Sequence, residues 1–319
     1  MLNRACPCST SFMSVQLRKY ILVLGILLIL FEKVIGFPYE IQVKILFVIL
    51  FFFGIPHGAL DFFVDQRSPV SIVSNNGLKF LGRYLFNMVA YALVWFLAPE
   101  LAICIFILLT AYHFGEIDWM ADKESNYSKM VYFILGLQWI LFLLSTHMNE
   151  ALDIVVLLWK GAYLKTDLLA WAAIVQKSTF VLMLISQALL FIYRTVFFSK
   201  SRYFWYSFIQ WGILILTVVN LPLWICFAFY FGIWHSVLSF EIIRTKLSLT
   251  NDSKGWLQLF QKALPYSVAA WSGLSILVYI YSDPQHISTV FHFLFIGIAI
   301  LTLPHLLVFT KIKIGHKFS

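Results

Sequence analysis

The sequence predicts an all-α protein: a polytopic membrane helical bundle of about ten transmembrane helices, with both termini cytoplasmic. Three observations lead there. Of 319 residues, 61% are hydrophobic and only 12% charged, where a soluble domain carries roughly 25% charge. The apolar residues fall into long runs of membrane-spanning length. Lysine and arginine then alternate between the two sides that those runs define. A soluble fold with this composition lacks the polar surface to cover itself, so the bilayer must act as the solvent.

A span needs about 20 mostly apolar residues. Reading the runs between charged residues and Pro, Gly or Asn breaks predicts helices near 20–37, 42–62, 79–98, 100–120, 130–147, 168–193, 203–219, 222–243, 264–281 and 287–310. The short, mildly amphipathic stretch 150–164 reads as an interfacial or re-entrant piece. The organisation expected is a cytoplasmic tail over 1–19, a single transmembrane domain over 20–310 and a second cytoplasmic tail over 311–319. The stretch before Tyr20 has no apolar core of the kind a cleaved signal needs, so the first run is expected to be a retained helix. Cys6, Cys8, Cys104 and Cys226 have no spacing that suggests a zinc site or a disulfide framework.

The charges test this parse. With a cytoplasmic N-terminus, eighteen Lys and Arg residues fall in the inner loops and tails, from Arg4 and Arg18 to Arg244 and Lys317. Only Lys33, Lys44, Lys160 and Lys165 fall outside, and Lys177 lies within a run. The net charge of +8 therefore reads as cytoplasmic-facing side chains held against anionic lipid. It gives no reason to expect nucleic acid as a partner.

The histidines carry the chemistry. His147, His286, His292 and His316 fall at span ends or in the tail and read as interfacial or solvated. His57, His113, His235 and His305 instead lie inside even-numbered spans, which all run from outside to inside. Each sits about 13 to 18 residues from its outer end, roughly 20–27 Å deep. Four imidazoles in one slab of a dry bundle need a shared partner, because ionisable groups there are costly and face an interior. A metal ion is the simplest partner, and all-nitrogen ligation suits Fe, Cu, Zn or Ni. Carboxylates follow the histidines. Asp61 is one turn after His57 on the same face, and Glu116 is three residues after His113. Either is placed to orient a ligand imidazole, whereas Asp65, Asp118 and Glu241 read as wet helix ends. The clustered histidine boxes of desaturases and the HExxH zinc motif are absent.

At these same positions the chain resembles a known family. Gly54-Ile55-Pro56-His57-Gly58-Ala59-Leu60-Asp61 is similar to the first signature of the Brp/Blh membrane β-carotene 15,15′-dioxygenases. Tyr112-His113-Phe114-Gly115-Glu116-Ile117-Asp118 resembles the second motif, Trp234-His235-Ser236 the third and Leu303-Pro304-His305 the last. The resemblance implies a multi-pass protein of the cell membrane, in a bacterium the inner membrane. It implies Fe(2+) as cofactor, β-carotene and O2 as substrates, and two retinal molecules as products. It carries metal ligation and catalysis to His57, His113 and His235. The family's third motif usually has a second histidine four residues on, and here that position is Ser239. Either His305 completes the set, with Ser239 beside it, or one position stays open.

Phe53, Phe114, Phe231 and Trp234 are the expected walls of an apolar substrate tunnel. Two alternatives remain at this point. One is a protein of the same fold acting on another isoprenoid. The other is a non-catalytic channel, transporter or subunit that handles protons or metal. Against the latter, the outer halves of the spans are nearly free of charge.

Overall fold

The computed structural model describes residues 8–65, 75–120, 129–158, 204–281 and 287–310, together with parts of 177–192. Among these residues every regular element is helical. The helices are α1 (Cys8–Val34), α2 (Tyr39–Asp65), α3 (Asn75–Leu97), α4 (Pro99–Met120) and α5 (Lys129–Thr146). After them come α6 (Met148–Leu158), α7 (Phe204–Asn220), α8 (Leu223–Lys246), α9 (Ser253–Tyr281) and α10 (Ile287–Phe309).

The expected count of ten spans is corrected. Among the described residues, five segments are long and apolar enough to cross a membrane: Tyr39–Asp65, Asn75–Leu97, Pro99–Asp118, Lys129–Thr146 and Leu223–Lys246. The apolar stretches Phe208–Asn220 and Phe293–Phe309 are shorter. In α1 the uncharged run reaches only from 20 to 31, between Arg18 and Lys19 on one side and Glu32 and Lys33 on the other. The run expected over 168–193 lies mostly outside the described residues, as do residues 1–7 and 311–319, on which the predicted termini rest. The stretch near 150–164 does contain a short separate helix, α6.

The bilayer reading also rests on the surface. Leu27, Leu30, Val89, Phe96, Leu97 and Ile276 all present more than half of their side-chain surface outward, an apolar exposure that water does not sustain over so many helices. Burial ranks the spans. In α8, 83% of the apolar window is buried, against 17% in α3. α8 is therefore the central post of the bundle, and α3 is a peripheral helix facing outward.

Small residues set how closely the helices approach. α4 and α5 cross in contact at Gly115 and Gly136. A Cβ on Gly115 would collide with the Tyr132 carbonyl oxygen, and one on Gly136 with that of Ala111. Such crossings, where backbones touch, are how membrane helices gain packing without a hydrophobic driving force. α2 and α8 meet similarly, since a Cβ on Gly232 would strike the Ile49 side chain. At the start of α9, Asp252 accepts hydrogen bonds from the Gly255 N–H at 2.8 Å and the Thr250 hydroxyl at 2.7 Å. This is an N-cap, and these donors hold the carboxyl below its usual range.

Two helices depart from α geometry next to histidines. Leu50–Gly54 winds as a π-helical segment just before Pro56 and His57. Ala228–His235 winds in the same way and ends on His235. In α10, Pro304 precedes His305. Proline removes a backbone donor, and a π turn takes up an extra residue. Both change the angle at which the following side chain leaves the helix.

Candidate metal centre

The structure brings His57, His113, His235 and His305 together from α2, α4, α8 and α10. All four are buried, at 1–6% exposed. Ring centroids lie 5.0 Å apart for His57 and His305, 4.8 Å for His113 and His305, 4.8 Å for His113 and His235, and 5.3 Å for His57 and His235. Within this group, His57, His113 and His305 each present a nitrogen within 4.8 Å of the other two. This is close to the roughly 4 Å separating the most distant ligands of one small ion with bonds of about 2.1 Å. His235 packs against the triad, adding a fourth ring rather than a fourth member of that close set.

Hydrogen bonds fix two of the tautomers. His305 Nδ1 lies 2.7 Å from Asp61 Oδ1, and an ionised carboxylate only accepts, so Nδ1 donates and Nε2 is left bare. His57 Nδ1 lies 3.2 Å from the Phe53 carbonyl oxygen, which likewise leaves its Nε2 free. His305 Nε2 then faces His113 Nε2 at 3.1 Å. At that distance His305 Nε2 is satisfied either by a His113 Nε2–H donating to it or by a cation shared between the two nitrogens. His113 Nδ1 and both nitrogens of His235 are buried without a hydrogen-bond partner. Unpaired polar atoms in a dry interior are costly, and here they gather in one place. The residues present thus fit a first-row metal ion held by imidazole nitrogen.

Asp61 serves a different histidine from the one expected. It bonds to His305 across the bundle, 244 residues away, and also accepts the Tyr84 hydroxyl at 3.0 Å. Helical periodicity put Asp61 on the face of His57 but said nothing of α10 or α3, so neither partner was legible. Glu116 does not orient a histidine. Its Oε1 accepts from Tyr112 at 3.4 Å and its Oε2 has no partner. Ser239 is fully buried and its hydroxyl donates to the His235 carbonyl at 2.9 Å. It is engaged with its own helix.

The walls sort similarly. Phe114 and Phe231 line a cavity of about 330 Å³ into which all four histidines open, together with Asp61, Tyr84 and Thr110. The exposed Leu81 and Leu85 of α3, with the exposed Ala269 and the partly exposed Ala270 of α9, form its outer part. Phe53 lines neither this cavity nor the second one described below; it contributes its carbonyl to His57. Trp234 also lines neither, because its indole N–H is turned to Asp118.

Three residues expected to be wet are buried instead. Asp118 accepts from the Tyr230 hydroxyl at 2.6 Å and the Trp234 indole at 2.8 Å. Arg18, expected in the cytoplasmic tail, is 8% exposed, donates to Gln210 at 3.2 Å and lies 5.5 Å from the Trp234 ring. Glu241 pairs with the buried Arg244 through two hydrogen bonds of 2.9 Å. One signal was available for the first of these: Tyr230 and Trp234 are four residues apart, which places two donors on one helix face. His147, expected to be interfacial or solvated, is 8% exposed and bonds to the Val218 carbonyl at 2.9 Å. The other three histidines of that group lie outside the described side chains.

Fold and site together define a class: an all-helical protein of membrane character, with a buried histidine cluster able to hold a metal ion. Comparison with known proteins makes the assignment specific. The sequence profile of the β-carotene 15,15′-dioxygenases matches residues 48–313, and the chain belongs to that family. It is 27% identical over 263 residues to a β-carotene 15,15′-dioxygenase of uncultured marine bacterium 66A03, covering 80% of this chain and 88% of that one. No solved structure matches.

Proposed function

We propose that this protein cleaves the central double bond of β-carotene with O2. The carbon–carbon double bond breaks, each carbon gains one oxygen atom, and two molecules of retinal leave. The observation that carries the reading is the opening of four buried histidines into an apolar cavity whose outer part lies on a lipid-facing surface. A polyene is as apolar as the bilayer core, so it reaches such a site sideways without crossing water. Membership of the family supports the reaction class.

His57, His113 and His305 would hold the metal, with His235 beside them, and ferrous iron is the ion proposed. When bound it supplies the one-electron chemistry that O2 requires to react with a closed-shell alkene. The rest is the work of the chain. Asp61 holds His305 in the tautomer that offers Nε2, and Tyr84 in turn holds Asp61; such outer partners raise ligand basicity and fix ring orientation. The Phe53 carbonyl does the same for His57. Phe114, with its ring 4.4 Å from that of His235, and Phe231, stacked on it at 5.9 Å, exclude water and press a flat polyene against the cluster. With one double bond placed there, catalysis is largely positioning.

Expression in a host that accumulates β-carotene tests this directly. The wild-type chain should bleach the cells and yield retinal, and His57→Ala should yield none. A folded, iron-loaded protein that leaves β-carotene intact would defeat the substrate assignment.

A further inference from the structure

A second cavity, of about 140 Å³, lies on the other side of the phenylalanine wall. It shares Thr110, Phe114 and Phe231 with the histidine cavity. Among the described residues, no histidine and no charged residue lines it. Resting on the proposed reaction, we propose that this cavity takes part of the far half of the polyene, the stretch next to the reacting double bond. The gap between Phe114 and Phe231 is then the constriction at which the reacting double bond is registered.

Three features carry the inference. The first is size. The histidine cavity, about 330 Å³, is at the lower end of the ~300–1,000 Å³ range of small-molecule sites, so a forty-carbon chain exceeds it. The second is position. Phe114 and Phe231 approach to 5.6 Å between ring centroids, and both touch His235. The passage between the cavities therefore runs beside the metal cluster. Cleavage at the middle of a symmetric molecule needs an arm on each side of the reacting atoms, whereas a single blind cavity would present one end of the substrate.

The third is direction. Ile103 and Phe295 each lie ten residues before a cluster histidine, His113 on α4 and His305 on α10, and Leu223 lies twelve before His235 on α8. At 1.5 Å per residue these mark an end roughly 15 Å from the histidine layer. The second cavity is thus a narrow arm running along three histidine-bearing helices. Phe114 and Phe231 must turn aside to admit the chain. Phe231 stacks on Phe227 at 5.1 Å, which offers a flat face over which it can slide.

The experiment fills the second cavity and measures binding. The purified full-length protein in detergent is titrated with β-carotene and, separately, with all-trans-retinal, and retention is read by absorbance of the co-eluting polyene. Ile107→Trp and, from the facing helix, Leu144→Trp each obstruct the arm. Both should weaken β-carotene retention about tenfold or more, while retinal, which fits the histidine cavity alone, stays within about twofold of wild type. Two variants on different helices separate obstruction from misfolding, and retained retinal binding reports a folded site. Wild-type retention of β-carotene by either folded variant would overturn the assignment. So would a wild-type protein that binds retinal but not β-carotene. The titrations exclude O2; bound β-carotene that stays intact once O2 is admitted to the iron-loaded wild type would overturn the proposed reaction instead, and the tryptophan variants would still decide the arm.

Discussion

Two buried polar groupings share helix α8 and resolve their burial in opposite ways. About two turns beyond His235, Glu241 and Arg244 form a closed unit: both carboxylate oxygens accept from the guanidinium, whose remaining Nη1 donates to the Leu249 carbonyl at 2.9 Å. The same guanidinium lies 5.8 Å from the Trp256 ring. At His235 the reverse holds. Neither ring nitrogen has a partner, and His113 Nδ1 has none, yet all four histidines face an open cavity. A closed unit is complete without a ligand. An open one implies that something absent from the polypeptide supplies the missing interactions. Burial alone would rank the two alike; partner and cavity separate them.

The largest effect that would test this contrast is on stability at the closed unit. Arg244→Ala leaves Glu241 as an unpaired buried charge and should cost about 3–5 kcal/mol, read by thermal unfolding in detergent. His235→Ala should lower the unfolding midpoint of the metal-free protein much less, because it loses packing against Phe114 and Phe231 but no hydrogen bond or charge partner. Equal destabilisation by the two would remove the distinction.

Next comes Gly115→Ala. The added Cβ meets the Tyr132 backbone carbonyl, which cannot turn aside as a side chain would, and overpacking of this kind costs about 1–3 kcal/mol. The variant should also lose metal, since α4 carries His113 two residues earlier. A stable variant with full metal content would show that the crossing does not set the position of His113.

Asp61→Asn sharpens the comparison at the open cluster. The amide cannot hold His305 as firmly in one tautomer, and metal affinity should fall about 10–100-fold with little change in fold, measured by competition with a chelator. The smallest effect is expected at Ser239. Ser239→Ala removes one bond to the His235 carbonyl, about 0.5–1.5 kcal/mol, and should leave metal content intact. Loss of metal there would give the serine a role that its geometry does not.

These residues also show what sequence conveys and what it does not. The four histidines were legible because depth along a helix is a count of residues, and similar counts, about 13 to 18, on runs read as parallel put His57, His113, His235 and His305 in one layer. Lateral pairing has no such signature. Asp61 was placed by periodicity next to His57, but its partner is decided by where α10 packs. Trp234 was expected as a wall because it adjoins His235, and adjacency in sequence does not tell that its indole turns to Asp118 and away from the cavity. Counting spans by hydropathy failed for a different reason. Charged residues near helix ends, such as Arg18 and Arg244, are buried in partnerships, so apolar runs and helices do not share boundaries.

The central claim is that the open cluster is a metal centre, and metal analysis of the purified protein tests it most directly. The account predicts about one iron per chain in the wild type and its loss in each of His57→Ala, His113→Ala and His305→Ala. Arg244→Lys, which keeps a cation beside Glu241, should retain it. A wild-type protein that takes up no metal, or a His113→Ala variant that holds as much as wild type, would contradict the account.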